Sequence, residues 1–95
     1  MFYEKRIGSL RELLEEAASL DADAGLRILG SYEGARCFVF VTRFGGRYTA
    51  MIYRRESGRR EKAGRKMAVL EIDGVKELES LIRSVVPGKV TAFTY

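Results

Sequence analysis

The sequence predicts an α+β fold in which two helices pack on one face of a four-stranded antiparallel β-meander, in the order α-β-β-β-β-α. Two segments carry apolar residues at helical spacing, and the four segments between them alternate as strands do. The chain has 95 residues and is 46% hydrophobic, which suffices for one domain with one core. We therefore expect residues 1–95 to form a single domain.

Capping signals and apolar stripes predict the two helices. Ser9 followed by Glu12 matches a capping box, and the first helix is expected from about Ser9 to Leu20. Asp73 is the expected N-cap of the second helix, which ends before Pro87. The apolar stripes consist of Leu10, Leu13, Leu14 and Ala17 in the first helix and Val75, Leu78, Ile82 and Val85 in the second.

Four strands are expected at residues 26–32, 35–44, 47–53 and 66–72, which are rich in β-branched and aromatic residues. Two-residue loops at Glu33-Gly34 and Gly45-Gly46 would join the first three strands as hairpins and fix their registers. Residues 89–95 are expected as a short C-terminal strand or tail.

This register sorts the side chains of the hairpins onto two different faces, because side chains alternate along a strand. One face is small and aliphatic, as expected beneath two apolar helices, and includes Cys37, Val39, Val41, Ala50 and Ile52. The other, here called the aromatic face, carries Phe38, Phe40, Phe44, Met51 and Tyr53, with Arg27, Arg36, Arg47 and Arg55 around them.

An exposed, contiguous apolar patch of this kind usually marks an interface. The bases of a single-stranded nucleic acid are one candidate occupant. Any base can stack on an aromatic ring for about 1–3 kcal/mol, while flanking arginines hold the phosphates. The other candidates are a second subunit and the C-terminal tail with Phe93 and Tyr95.

Positive charge is concentrated in residues 54–66, which carry seven Lys or Arg against two Glu, whereas the whole chain has a net charge of +4. Charge concentrated in this way forms a patch. We expect a basic loop between the third and fourth strands, standing beside the aromatic face and following phosphates. The alternative is a solvated loop that binds no ligand. The cations of this segment are Arg54, Arg55, Arg59, Arg60, Lys62, Arg65 and Lys66.

The sequence argues against several other classes of function. There is no His, the commonest general base, and the single Cys37 excludes an intrachain disulfide, so we expect a cytoplasmic protein that is not an enzyme and uses no cofactor or metal. No apolar run has the length of a membrane span. A magnesium-dependent nuclease using Glu71 and Asp73 is a remaining alternative.

The element order, the short length, the hairpin "RCFVFVTRFGGRYTAMIYRR" and a composition without Asn or Gln together resemble a known family. The chain is similar to the single-stranded DNA-binding domain of the archaeal ThermoDBP proteins, and more closely to the small ThermoDBP-related proteins, over roughly residues 9–86. The resemblance implies a thermophilic, non-OB-fold binder of single strands, with a sheet face and a basic rim on the DNA. It also implies a homo-oligomer whose subunits together enclose the strand.

The sequence therefore predicts a non-catalytic, largely sequence-independent single-stranded DNA-binding protein that assembles as a dimer or tetramer, with RNA left open as a ligand. An assembly or adaptor protein whose aromatic face is filled by a protein partner is the alternative. The residues expected on the bases are Phe38, Phe40, Phe44, Met51 and Tyr53. Those expected on the phosphates are Arg27, Arg36, Arg47, Arg54, Arg55, Arg59, Arg60, Lys62, Arg65 and Lys66.

Overall fold

The computed structural model describes residues 5–56, 62–86 and 88–95, with the backbone alone at residues 62 and 63. Within these ranges, two helices lie on one side of a single antiparallel sheet of six strands. In chain order the elements are β1 (Lys5–Ile7), α1 (Leu10–Ala18), β2 (Gly25–Tyr32), β3 (Ala35–Phe44), β4 (Arg47–Glu56), β5 (Lys62–Ile72), α2 (Val75–Val85) and β6 (Thr91–Thr94).

The expected four-stranded meander is wrong, because the strands form one six-stranded sheet in the order β1-β6-β2-β3-β4-β5. Of the two further strands, β6 lies within residues 89–95, where a short C-terminal strand or tail was expected. The other, β1, was not predicted, because its 3 residues are too few to show a clear period of two. After α2 the chain returns so that β6 lies between β1 and β2, a long-range pairing that no local pattern specifies. The class remains α+β, with two helices.

The predicted registers of the two hairpins are confirmed in the sheet. Phe40 pairs with Arg27 of β2 on one side and with Met51 of β4 on the other. The β2–β3 loop has positive φ at both Glu33 and Gly34, 50° and 79°, as a type I′ turn requires. These turns match the twist of the flanking strands, so register and face assignment follow from the loops.

A single core joins both helices to the sheet face opposite the aromatic face. The N-cap prediction for α1 is confirmed, since the Ser9 hydroxyl accepts a hydrogen bond from the backbone N–H of Glu12 at 3.2 Å. Cys37 is buried there as an ordinary core residue, and burial raises the pKa of its thiol. The core includes Leu13 and Ala17 of α1, Leu78, Ile82 and Val85 of α2, and Ile28, Val39, Val41 and Ile52 of the sheet.

The helix ends differ from the prediction in two places. α1 stops at Ala18, two residues before the expected Leu20. α2 has Gly74, not Asp73, as its N-cap. The Asp73 carboxylate is held by Arg47 instead, with Nε to Oδ1 at 2.9 Å, while the backbone N–H of Asp73 donates to Glu77. The Asp73 side chain thus forms an ion pair at the end of the sheet and does not cap α2.

The C-terminal end of α2 approaches β2 very closely at Gly30. A Cβ added to Gly30 would lie 2.2 Å from the backbone carbonyl oxygen of Val85. A glycine at this position lets α2 lie directly against the sheet, which brings the buried Val85 and Val86 into the core. In the described ranges, neither α1 nor α2 combines the length and the hydrophobicity that crossing a membrane would require.

Candidate nucleic-acid interface

The aromatic face of the sheet is left uncovered by the two helices. Cross-strand pairing there aligns one row of side chains across all six strands, with cationic and aromatic residues alternating over the first four. In sheet order this row is Arg6, Phe93, Arg27, Phe40, Met51 and Val69. Adjacent strands lie about 4.8 Å apart, so each ring in this row has a cation within one or two strand spacings.

The rows on either side of this one differ in charge. The row nearer the β4–β5 connection ends in a cation and consists of Thr91, Leu29, Phe38, Tyr53 and Lys66. The row nearer the Gly45-Gly46 turn ends in a carboxylate and consists of Gly25, Thr42, Thr49 and Glu71. The row toward the β4–β5 connection thus ends in Lys66, and the row toward the Gly45-Gly46 turn ends in Glu71.

Three cations on the aromatic face lie against rings. The Arg27 Cζ is 4.7 Å from the centroid of the Phe93 ring, and the Arg55 Cζ is 5.8 Å from that of Phe38. The third cation is Lys66, whose Nζ is 5.9 Å from the Tyr53 ring. Such contacts hold long side chains over the sheet at little cost in solvation. Phe38 is only 8% exposed, so most of its ring is not accessible to a ligand.

A shallow depression of about 270 Å³ adjoins these contacts and is lined by Phe40, Met51, Tyr53 and Tyr95. Its aromatic walls meet edge to face, with Phe40 5.7 Å from Tyr53 at 83° and 6.5 Å from Tyr95 at 70°. This volume falls just below the roughly 300–1,000 Å³ of small-molecule pockets. The depression therefore suits a single planar ring between aromatic walls.

Tyr95 reaches the depression because Gly25 has no side chain. The two residues exchange backbone hydrogen bonds at 2.8 and 2.9 Å, which extend the β2–β6 pairing by one residue. A Cβ on Gly25 would lie 2.5 Å from the Tyr95 ring. The ring thus lies across Gly25 and forms one wall of the depression, with 40% of the residue still exposed.

Burial raises the pKa of the Tyr95 phenol above its ordinary value of about 10, and nearby Arg27 acts in the opposite direction. The folded state therefore favours the neutral phenol. Its contribution to stability is complete below the ordinary pKa and is lost as the pH rises through the raised one. In an alkaline absorbance titration, we expect Tyr95→Phe to remove the tyrosinate transition with a raised midpoint. Loss of a transition at the ordinary midpoint would contradict this.

The prediction of a basic loop over residues 54–66 is wrong at both ends of that range, which belong to strands. Arg54 and Arg55 lie in β4, and Arg65 and Lys66 lie in β5, because the hairpin remains paired as far as Glu56 with Lys62. β5 is an edge strand, where charged residues are common. Arg59 and Arg60 lie outside the described residues, as does the side chain of Lys62.

Other predicted contacts lie apart from the depression. Phe44 is 88% exposed at the end of β3, where it pairs with Arg47, the ion partner of Asp73. Arg36 is exposed beyond Phe38 toward the basic end, opposite Ser31. Arg54 pairs with Cys37, a residue of the opposite face. The predicted contacts that lie around the depression and the rings next to it are Arg27, Phe38, Phe40, Met51, Tyr53, Arg55 and Lys66, whereas Phe44, Arg36 and Arg47 lie at the ends of the same face.

The carboxylates proposed for a nuclease site have other partners. Glu71 accepts a hydrogen bond from the Thr49 hydroxyl at 3.3 Å, and Asp73 is paired with Arg47. Among residues 5–56, 62–86 and 88–95, no three Cys, Asp or Glu side chains cluster in a way that could hold a metal ion.

Among the described residues of the aromatic face, three that are aromatic or cationic were missing from the predicted contacts. Phe93 and Tyr95 were expected in a short C-terminal strand or in a tail that covers the face, whereas β6 pairs with β2 and extends that face. Alternation along residues 90–95, with Val90 and Ala92 buried, was the signal that places Phe93 and Tyr95 together. No local sequence pattern predicts the position of Arg6, because that position depends on the pairing of β1 with β6.

The chain matches no protein-family model, no curated protein and no solved structure at a significant level.

Proposed function

We propose that this chain is a non-catalytic, largely sequence-independent single-stranded DNA-binding protein of the cytoplasm, the function that its resemblance to the ThermoDBP-related proteins implies. The observation that carries the proposal is the row of alternating cations and rings on the uncovered sheet face, from Arg6 through Phe93 and Arg27 to Phe40. Rings and arginines at neighbouring positions are what a nucleotide requires, since it has a flat base and a charged phosphate.

The depression beside this row gives the proposal a specific stacking position. Phe40, Tyr53 and Tyr95 offer ring surfaces to one base, and the base needs no particular hydrogen-bonding edge to occupy it. Arg27 and Arg55 lie over the neighbouring rings, from which their guanidinium groups can reach phosphates on either side. A site of this type holds a strand without reading its sequence.

A second candidate function, homo-oligomeric assembly or an adaptor role, is favoured by the apolar end of the same row. Met51 pairs with Val69 on the edge strand β5, and Val69 is 48% exposed. Exposed apolar residues continuous with the depression are also what a protein partner or a second subunit would cover. A dimer or tetramer that encloses a strand would combine both functions.

Fluorescence anisotropy with labelled single-stranded and duplex oligonucleotides of mixed sequence, at several salt concentrations, tests the proposal. Preferential and salt-sensitive binding of single strands is expected. Undetectable binding would reject DNA binding and favour the protein-partner alternative. Equal binding of single strands and duplex would reject the preference for single strands. Matched DNA and RNA strands in the same assay would show whether a ribose hydroxyl contributes.

Arg6→Ala and Arg83→Ala form a matched pair of charge deletions. Both residues are exposed, but Arg6 lies in the row on the aromatic face, whereas Arg83 lies in the last turn of α2 in the helix layer. Arg6→Ala is expected to reduce the slope of log K against log salt concentration by about 0.7, the value for one phosphate contact on a single strand. Arg83→Ala should leave the slope unchanged. Equal changes in both variants would mean that net charge, and not this face, determines binding.

A further inference from the structure

A second concavity, of about 520 Å³, lies at the basic end of the sheet, beyond the aromatic depression. It is lined by Arg54, Arg55, Glu56 and Arg65, from β4 and β5. Arg55 connects it to the aromatic face, because its guanidinium lies over Phe38. Among the described residues, charged side chains line the concavity, whereas apolar and aromatic ones line the depression.

The β4–β5 pairing is irregular where these arginines line the concavity. Register shifts occur between Ile52 and Tyr53 and again between Tyr53 and Arg55. In a regular hairpin the consecutive residues Arg54 and Arg55 would point to opposite faces, and they would not line one concavity. Bulges increase the local twist and redirect side chains, and they are common next to functional sites.

The charge of this concavity matches a particular ligand. Of the described residues, three arginines and one glutamate line it, which leaves two positive charges in excess. A phosphomonoester carries about −1.5 to −2 charges at neutral pH, whereas an internal phosphodiester carries only one. Guanidinium groups can also bind phosphate oxygens in pairs, so several of them can engage the three free oxygens of a monoester together.

We propose that the concavity lined by Arg54, Arg55 and Arg65 binds the terminal phosphate of a single strand whose adjoining bases lie on the aromatic face. This inference rests on the proposed function and adds to it a preference for phosphorylated strand ends. The terminal phosphate lies at the edge of the sheet, and the strand runs from there past Tyr53 toward the depression.

Binding of short oligonucleotides of one sequence, with a terminal phosphate at one end, at the other end or at neither, tests the inference. The wild-type chain is expected to bind one phosphorylated form about tenfold more tightly than the unphosphorylated form, an order of magnitude typical of one charge-assisted contact. In Arg65→Ala this ratio should fall to near one. Arg65→Lys should give an intermediate ratio, because lysine keeps the charge and loses the paired hydrogen bonds.

Arg83→Ala serves as the control and should keep the wild-type ratio. If oligonucleotides bind but the terminal phosphate has no effect, the inference is wrong and the proposed function stands. If no oligonucleotide binds, the proposed function is wrong, and with it the strand-end preference. A titration with inorganic phosphate, followed by NMR of the arginine side chains, then shows whether the concavity binds phosphate itself. Equal shifts in Arg65 and Arg83 would reject the site.

Discussion

Replacing Phe40 and Tyr53 together by alanine is expected to raise the Kd for a single-stranded oligonucleotide by about tenfold to a hundredfold. The two rings form adjoining walls of the depression, 5.7 Å apart. Loss of stacking costs about 1–3 kcal/mol per base, and every 1.4 kcal/mol is a factor of ten in Kd. Anisotropy titration at one fixed salt concentration measures the change, with circular dichroism to verify the fold.

Phe44→Ala is the matched aromatic deletion for this experiment. Phe44 is 88% exposed at the end of β3, pairs with Arg47 and takes no part in lining the depression, so its removal should change Kd by less than about twofold, the size of a minor surface effect. An equal loss in both variants would place the strand elsewhere on the sheet. If the double alanine variant does not fold, Phe40→Leu with Tyr53→Leu keeps apolar volume and removes only the flat rings. Unchanged binding in a folded variant would exclude stacking in the depression.

Gly30→Ala is expected to lower the free energy of unfolding by about 1–3 kcal/mol, the usual cost of overpacking a core. The added methyl group would lie 2.2 Å from the carbonyl oxygen of Val85. That oxygen belongs to the backbone at the C-terminal end of α2, so it cannot rotate away as a side chain could. In a domain of this size each kcal/mol lowers Tm by roughly 4–8 °C. Chemical denaturation with an unchanged m value would measure the loss.

Gly8→Ala provides the control for this experiment. A Cβ at Gly8 meets no atom within 4 Å. Alanine there restricts the unfolded chain and should leave stability unchanged or raise it by a few tenths of a kcal/mol. If Gly30→Ala is as stable as Gly8→Ala, α2 can shift away from β2 without loss, and the close approach at Gly30 is not a packing requirement.

The centre of the sheet could be predicted because its pairings are local. Two-residue loops at Glu33-Gly34 and Gly45-Gly46 determine which residues of β2, β3 and β4 are opposite one another. From those pairings alone, Phe40, Met51 and Tyr53 could be assigned to one face. The N-cap at Ser9 was predictable for the same reason, since its partner Glu12 is three residues away.

The periphery of the sheet could not be predicted in this way. Arg6 and Phe93 join the row through pairings between segments at opposite ends of the sequence. The role of Asp73 depended on Arg47, a residue that is brought to it only by the pairing of β4 with β5. A charge run such as residues 54–66 suggests a loop by composition, yet an edge strand tolerates the same charges. In each case a tertiary contact overrode the local pattern.

The pairing of β1 with β6 also affects the order in which the site can be assembled during folding. Lys5 and Thr94, which share a hydrogen bond between the two strands, are separated by 89 positions in sequence. Closing so long a loop has a large entropic cost, whereas the hairpins between β2 and β5 close over a few residues. We therefore expect Phe40 and Tyr53 to be brought together first, within the hairpin of β3 and β4. Phe93 and Tyr95 are expected to join when β6 pairs with β2, and Arg6 when β1 pairs with β6.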